Sequence, residues 1–268
     1  MMCHLYGTNL IYAGILSIFL LLAMFAEMTN QSFASLQANM VNENEQNLNA
    51  SFIFDTHRMI LGNEIKNLVI LIPNEGHHGP QQDEDRFIDQ SFVPETAIVN
   101  KGTNVMWFSG DVGHEHNLVV TDNLTGEALH ETGALPEFES RNLILNESGD
   151  YRYQDTEEYE EGFVMKGNIQ VVDQTDPSSP LSTDSTGTSA DIAGILMVPT
   201  QEIQAYIGDL ENKGFDVHST HNFKDLRGGQ SGTGDEQTLV VWTASSSTVD
   251  LSTIISNLRE FSSTLPYS

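Results

Sequence analysis

The sequence contains one cysteine, Cys3, among 268 residues. A lone cysteine cannot form a disulfide within the chain, and Cys3 stands before the one long apolar run instead of following it as a lipoprotein cysteine would. The chain beyond that run therefore has no thiol. Thiolate copper, iron–sulfur and cysteine–zinc sites are excluded there, as is cysteine catalysis.

Basic residues are also scarce. Eleven Lys and Arg stand against 38 Asp and Glu, which gives a formal net charge of -27 at pH 7. So negative a surface repels nucleic acid and anionic lipid, so we exclude both as partners. The same charge keeps the protein soluble and attracts cations or a basic protein partner.

Long apolar runs are limited to residues 10–26, which are 17 residues without a charge. This length lies between a signal-peptide core and a short membrane span, so residues 1–28 are predicted to be a signal peptide or a single anchor. Either would place the remainder outside the cytoplasm, with membrane contact only through this segment. Four N-x-[ST] sequons fit that location. They begin at Asn30, Asn49, Asn123 and Asn146.

Residues 66–173 contain many short apolar or alternating runs separated by turn residues, which predicts a β-sandwich. The predicted strands cover residues 67–73, 92–99, 103–108, 118–120 and 138–145. The preceding residues, 29–65, are rich in Asn and Gln and are interpreted as a loosely ordered spacer.

Residues 174–190 are rich in Ser, Thr, Pro, Gly and Asp, which indicates a linker. Residues 191–268 then show a strand–helix–strand–strand–helix order, which predicts a small ferredoxin-like α+β domain. Thr200 and Asp250 are predicted N-caps of its two helices, and Gly214 is a predicted C-cap.

Residues 149–172 read as a strand, an acidic loop and a second strand. Tyr151 and Tyr153 alternate with polar residues, and Met165 precedes a second alternating segment. This layout resembles the last two strands of the cupredoxins, the plastocyanin, azurin and halocyanin family, which end in Met-x-Gly-x-[VI]-x-V. Two further segments of this chain fit the family's pattern in the right order, F-V-P with G-T-N-V-M-W, and H-N-L-V. The resemblance implies a Greek-key β-sandwich.

The chain departs from the family at the copper ligands. By motif position His116 corresponds to the first histidine ligand and Met165 to the methionine. Asp155 stands where the family has cysteine, and the acidic loop contains no histidine. Because blue copper depends on the copper–thiolate bond, blue-copper electron transfer is excluded.

Other donors are predicted near the same end of the sandwich. His114 would share a face with His116 if both lay on one strand, because alternate side chains point the same way. The resemblance implies that the loop with His77 and His78 approaches that end. Together with Asp155, Glu158 and Met165, these residues form a candidate Cu(II) or Zn(II) site, since imidazole and carboxylate suit those ions.

Each candidate also has a simpler interpretation. His114 and His116 are alternatively polar loop residues of a cupredoxin that has lost its metal and holds no cofactor. His77 and His78 are alternatively solvated residues of a Gly-Pro loop. Met165 alternatively packs in the core. The acidic loop is a metal ligand, a solvated rim or a docking face for a basic or redox protein.

Two functions follow from these alternatives. The first is extracytoplasmic metal binding or copper handling. The second is a metal-free interaction module at the cell surface. An enzyme is not predicted, because G-x-S-x-G is absent and the loop G-G-Q-S-G-T-G at 228–234 lacks the lysine of a phosphate-binding loop.

Overall fold

The computed structural model describes residues 52–54, 57–74, 76–77, 90–157, 163–173, 190–222 and 237–265. Several sequence predictions concern residues outside these ranges and stay predictions. They are the apolar run at 10–26, the sequons Asn30 and Asn49, His78, Glu158, the linker up to residue 189 and the loop at 228–234. No helix among the described residues is long and apolar enough to span a membrane.

The described chain is mostly β-structure. In chain order the strands are β1 (Phe52–Phe54), β2 (Arg58–Leu61), β3 (Asn67–Ile72), β4 (Thr96–Asn100), β5 (Thr103–Ser109), β6 (Leu118–Asp122), β7 (Ala128–Glu131), β8 (Ser140–Leu145), β9 (Gly149–Asp155), β10 (Lys166–Val172), β11 (Ile192–Pro199), β12 (Asp216–Asn222) and β13 (Gln237–Ala244). The helices are α1 (Ile203–Asn212), preceded by a 3₁₀ turn at Thr200–Glu202, and α2 (Leu251–Thr264).

The strands form two mixed sheets. The first sheet has the order β1-β2-β4-β10-β9-β6-β7, and the second has the order β12-β13-β11-β3-β5-β8. Strands β2 and β4, and β4 and β10, run parallel in the first sheet. In the second sheet β3 runs parallel to both β5 and β11.

The two sheets pack face to face around an aromatic cluster. Tyr153 of the first sheet meets Trp107 of the second at a ring-centroid distance of 5.3 Å and meets Phe92 at 4.8 Å, both edge to face. Alternation along β9 explains this packing, because Tyr151, Tyr153 and Asp155 are buried while the residues between them are exposed. The predicted β-sandwich is therefore confirmed.

The central strands of the second sheet, β13, β11, β3 and β5, are buried on both faces. Residues paired in register share a face, and the pairing joins Trp242 to Gly194, Gly194 to Val69 and Val69 to Met106, on the side opposite Trp107. Trp242 contacts Phe215 edge to face at 4.8 Å. A Cβ on Gly194 would lie 2.5 Å from the Trp242 ring, so this tight approach requires glycine.

The predicted strand–helix–strand–strand–helix order of residues 191–268 is the observed order. Its first strand, β11, pairs with β3, so these strands continue the second sheet of the sandwich. The side chain of Asp250 accepts a hydrogen bond from the backbone N of Thr253 and caps α2 as predicted. The Thr200 prediction is wrong, because its hydroxyl bonds Thr238 at 2.8 Å and α1 begins after the 3₁₀ turn.

The interpretation of residues 29–65 as a loosely ordered spacer is wrong for two short segments. Strand β2 pairs with β4 in parallel, and β1 pairs with β2. Met59 and Leu61 are fully buried in the main core. These segments gain their order from partners distant in the chain, which a local pattern of three or four residues does not reveal.

Candidate functional site

The candidate residues meet where three strands end. Asp155 is the last residue of β9, and it pairs in register with Leu118, the first residue of β6. His116 lies just before β6 and makes a backbone bridge to Leu135. Asp111 follows the end of β5 by two residues. Strand ends and their flanking loops thus bring three ionisable side chains to one end of the sandwich.

The carboxylate of Asp155 has hydrogen-bond partners at both of its oxygens. Its Oδ2 lies 2.7 Å from His116 Nδ1. Its Oδ1 accepts hydrogen bonds from the backbone N atoms of Asn117 and Glu157, each at 3.1 Å. Asp155 is 2 % exposed. These contacts give both oxygens of the buried carboxylate a hydrogen-bond partner.

His116 lies between two carboxylates. Its Nδ1 faces Asp155, and its Nε2 is 3.4 Å from Oδ2 of Asp111, an ion-pair distance rather than a short hydrogen bond. All three side chains are essentially buried. Burial alone lowers the pKa of His116, but the two carboxylates outweigh burial and raise that pKa to about 9. This raised pKa favours the imidazolium form of His116 at neutral pH.

Asp111 connects His116 to the loop that carries His77. Oδ2 of Asp111 lies 2.6 Å from His77 Nδ1. Burial raises the pKa of Asp111, but its contacts with His116 and His77 outweigh burial and lower the pKa to about 2. The backbone N of Val112 donates to Asn74 Oδ1 at 3.1 Å, which holds this loop against the end of β5.

His77, Asp111, His116 and Asp155 thus form a continuous series of alternating imidazoles and carboxylates, which we call the carboxylate–imidazole chain. The exposed His114 ring stacks on His77 with centroids 3.6 Å apart and an interplanar angle of 30°. The carboxylate–imidazole chain therefore extends from the exposed ring of His114, which stacks on His77, to the buried Asp155.

The structure places the other predicted residues as follows. His114 and His116 do not share a strand face, which corrects that prediction: β6 begins at Leu118, and His114 is exposed in the turn before it while His116 is buried. Met165 is fully buried, and its carbonyl accepts from the backbone N of Asp155 at 3.0 Å. His78 and Glu158 lie outside the described residues.

Sequence reasoning missed Asp111. It is one of 38 acidic residues, and nothing in its immediate sequence distinguishes it. The available signal was its position after a predicted strand, since the end of β5 and the start of β6 meet at one end of a sandwich.

The resemblance to cupredoxins implies copper, and the side chains present here do not fit it. His116 Nδ1, the atom that faces Asp155, is 2.7 Å from a carboxylate oxygen, a hydrogen-bond distance, so the shared proton would have to leave before an ion could bind Nδ1. The thiolate is absent. Within the part of the chain that the structure describes, no three His, Cys, Asp or Glu side chains form a metal-binding group.

Comparisons with known proteins give the following. No family model matches the chain. No curated protein matches it. Solved structures that are similar to it include a purple cupredoxin from Nitrosopumilus maritimus, at 20 % identity over 39 % of this chain and 99 % of that one, with a TM-score of 0.30. An amicyanin variant in its reduced Cu(I) form matches at 21 % identity over 40 % of this chain and 82 % of its own, with a TM-score of 0.28. The Cu(I) form of another amicyanin variant matches at 19 % identity over 40 % and 83 %, with a TM-score of 0.29.

Proposed function

We propose that this protein is an extracytoplasmic, metal-independent binding module with a cupredoxin-like sandwich, and that it is not an enzyme. The observation that carries the proposal is the position of His116, a buried imidazole with a carboxylate at each ring nitrogen. A metal ligand must offer a nitrogen lone pair, whereas an imidazolium has none. The proton on His116 thus takes the charge-balancing place that a metal cation has in copper-binding relatives.

The buried charges of His116 and Asp155 balance each other. Burying a lone carboxylate is costly, so Asp155 without copper needs a cation or a proton nearby. His116 provides that cation at 2.7 Å, and the backbone N atoms of Asn117 and Glu157 satisfy the second oxygen. The thiolate–copper pair of the family is in this way replaced by a carboxylate–imidazolium pair.

One observation favours the second candidate, Cu(II) or Zn(II) binding. Histidines that bind metals usually direct their other ring nitrogen to a carboxylate, and Asp111 stands behind Nε2 of His116 in that way. For a metal to bind at Nδ1, His116 must lose a proton held by two carboxylates, and Asp155 must move. We therefore rank metal handling below the metal-independent module.

The deciding experiment is a titration of the metal-free protein at pH 7 with Cu(II) and with Zn(II), in the presence of a weak competing chelator. The competitor removes loose binding to the acidic surface. The wild type is compared with His116→Gln and with a matched control, His57→Gln, because His57 is exposed and lies at neither ring nitrogen of His116. We expect the same uptake in all three proteins. A stoichiometric site that disappears only in His116→Gln would overturn the proposal.

The protonation state is tested separately by ¹⁵N NMR of the imidazole groups. At pH 7 we expect both ring nitrogens of His116 to carry protons, as in an imidazolium. A neutral His116 at pH 7 would contradict the proposed charge arrangement even if no metal bound.

The partner proposed for this module is a basic protein, because the chain carries a net charge of -27. The exposed Val164 and the half-buried Phe163 directly precede Met165, whose carbonyl accepts from the backbone N of Asp155, and apolar side chains at this end suit a protein contact. We expect affinity for a basic probe protein to fall with added salt and to be unchanged by EDTA. Binding that EDTA abolishes would instead favour the metal-handling function.

A further inference from the structure

Two sequons lie within the described residues, and the fold brings them together. Asn123, of Asn-Leu-Thr, is in the turn between β6 and β7, and Asn146, of Asn-Glu-Ser, is in the turn between β8 and β9. Both asparagines are exposed. The backbone N of Asn123 donates to the carbonyl of Asp150 at 2.9 Å, so the two turns are neighbours.

These turns are at the end of the sandwich opposite the carboxylate–imidazole chain. Strands β6 and β9 pair Asp122 with Tyr151 at one end and Leu118 with Asp155 at the other. A strand rises about 3.3 Å per residue, so four residues separate the ends by roughly 13 Å.

Neither turn depends on its acceptor asparagine for closure, although in the first turn the sequon residue Thr125 accepts from the backbone N of Glu127 through its Oγ1 at 3.2 Å. In the first turn, Asp122 Oδ1 accepts from the backbone N atoms of Leu124 and Thr125 at 2.8 and 2.7 Å. The side chain of Asn123 contributes Oδ1, which accepts from Arg152 at 2.9 Å, so its Nδ2 can carry a substituent while that bond remains. In the second turn, the Tyr151 hydroxyl donates to the carbonyl of Glu147 at 2.8 Å.

Exposed apolar side chains accompany both sequons. Leu124, which directly follows Asn123, is 94 % exposed, and Ile144, two residues before Asn146, is 51 % exposed. Exposed leucines occur singly on many proteins, but here each acceptor asparagine has a large exposed apolar side chain within two residues, which a bulky, solubilising sugar chain would cover.

From these observations we propose that Asn123 and Asn146 are N-glycosylated, so that one end of the sandwich carries sugar and the opposite end stays open for binding. In the reaction, Nδ2 of each asparagine attacks C1 of an oligosaccharide linked to a lipid pyrophosphate. The N–C bond forms, the C–O bond to the pyrophosphate breaks, and the lipid pyrophosphate leaves as Nδ2 loses one proton. The inference rests on the extracytoplasmic location in the proposed function but not on metal independence.

The test uses the full chain, produced in a host whose secretory pathway contains an oligosaccharyltransferase. A secretion leader of that host is placed before the chain, so that delivery does not depend on residues 10–26. A parallel culture with the native N-terminus tests the location separately. Glycopeptides of the secreted protein are assigned by mass spectrometry, which separates Asn123 and Asn146 from Asn30 and Asn49.

We expect glycan at both described sites. Asn123→Gln and Asn146→Gln should each remove one glycan, and Thr125→Ser should keep the glycan on Asn123 whereas Thr125→Ala removes it. Asn212→Gln is the matched control, since Asn212 is exposed but is not in a sequon, and it should leave the mass of the glycans unchanged. Unmodified Asn123 and Asn146 in the secreted protein would overturn the inference, whatever the result of the metal titration.

Discussion

The two ends of the sandwich are joined by the same strands, β6 and β9, yet they are built on opposite principles. At one end His116 and Asp111 are fully buried, and each has a partner far away in sequence, Asp155 for His116 and His77 for Asp111. At the other end the turns at Asn123 and Asn146 are exposed, and contacts within a few residues close them. One end is stabilised by contacts between buried charged side chains, whereas the side chains of the other end are exposed to solvent.

The difference shows where a change in sequence is costly. A buried charge loses its hydration, so removal of one partner leaves the other uncompensated. An exposed turn residue keeps its hydration, so its replacement alters little. The effect of a substitution should therefore depend on which end it lies at, and the following predictions test that dependence.

The largest effect is expected for His116→Ala. The substitution leaves Asp111 and Asp155 buried without the cation between them, and breaking a buried pair in this way typically costs about 3–5 kcal/mol. The free energy of unfolding is measured by urea denaturation at pH 6. Asn146→Gln, at the opposite end, serves as the control and should match the wild type. Equal stabilities of His116→Ala and wild type would show that the buried charges do not stabilise this end.

The second-largest effect is expected for the change of the free energy of unfolding with pH. The pKa of folded His116 is about 9, above its usual 6.5, so its contribution is complete below pH 6.5 and is lost as the pH rises to 9. The pKa of Asp111 is about 2, below its usual 3.8, so its contribution is complete above pH 3.8 and is lost as the pH falls towards 2. The His116 shift corresponds to a loss on the order of 3 kcal/mol between pH 6.5 and 9.

Urea denaturation from pH 4 to 10 measures this loss. The slope between pH 6.5 and 9 should be much smaller in His116→Gln, which cannot titrate. His218 does not interfere, because burial lowers its pKa and it titrates below this window. A wild type and a His116→Gln variant with the same slope would contradict the assignment of His116 as the cation.

A substitution between the two ends should have an intermediate effect. Gly167 of β10 faces Tyr153, and a Cβ on it would lie 2.3 Å from that ring. Tyr153 is held by Trp107 and Phe92 and cannot move away without repacking the core. Gly167→Ala should therefore destabilise the protein by about 1–3 kcal/mol. Gly208→Ala is the control, since a Cβ there meets no atom within 4 Å. Equal changes in the free energy of unfolding for the two substitutions would show that the core repacks around the added Cβ without loss of stability.

The sequence predicted much of this organisation. Alternation in β9 and β10 predicts a buried face, and both strands have it. The order of elements after residue 190 was also predicted, because α2 begins at a standard N-cap and carries apolar residues at helical spacing. The nearness of His77 to this end followed from the resemblance to a known topology rather than from spacing.

The remainder depended on contacts that local sequence does not encode. Asp111 gains its importance only from His116 and His77, which lie 5 and 34 residues away and reach it through sheet pairing. The spacing of His114 and His116 suggested a shared face, but the strand that would align them begins two residues later, at Leu118. Strand β2 is ordered by β4, more than 30 residues further along the chain.

The smallest effect is expected at the turn end, for Leu124→Ser. Leu124 is 94 % exposed, so the substitution removes almost no buried apolar area, and the turn stays closed by Asp122 through the backbone N of residue 124, which serine retains. The free energy of unfolding of the unglycosylated protein should change by no more than about 0.5 kcal/mol. The informative control is Leu118→Ser. Leu118 lies in β6, is fully buried and pairs in register with Asp155, so this variant should lose several-fold more stability. If Leu124→Ser proved as damaging as Leu118→Ser, the turn end would be packed against something in solution, and the contrast between the two ends would fail.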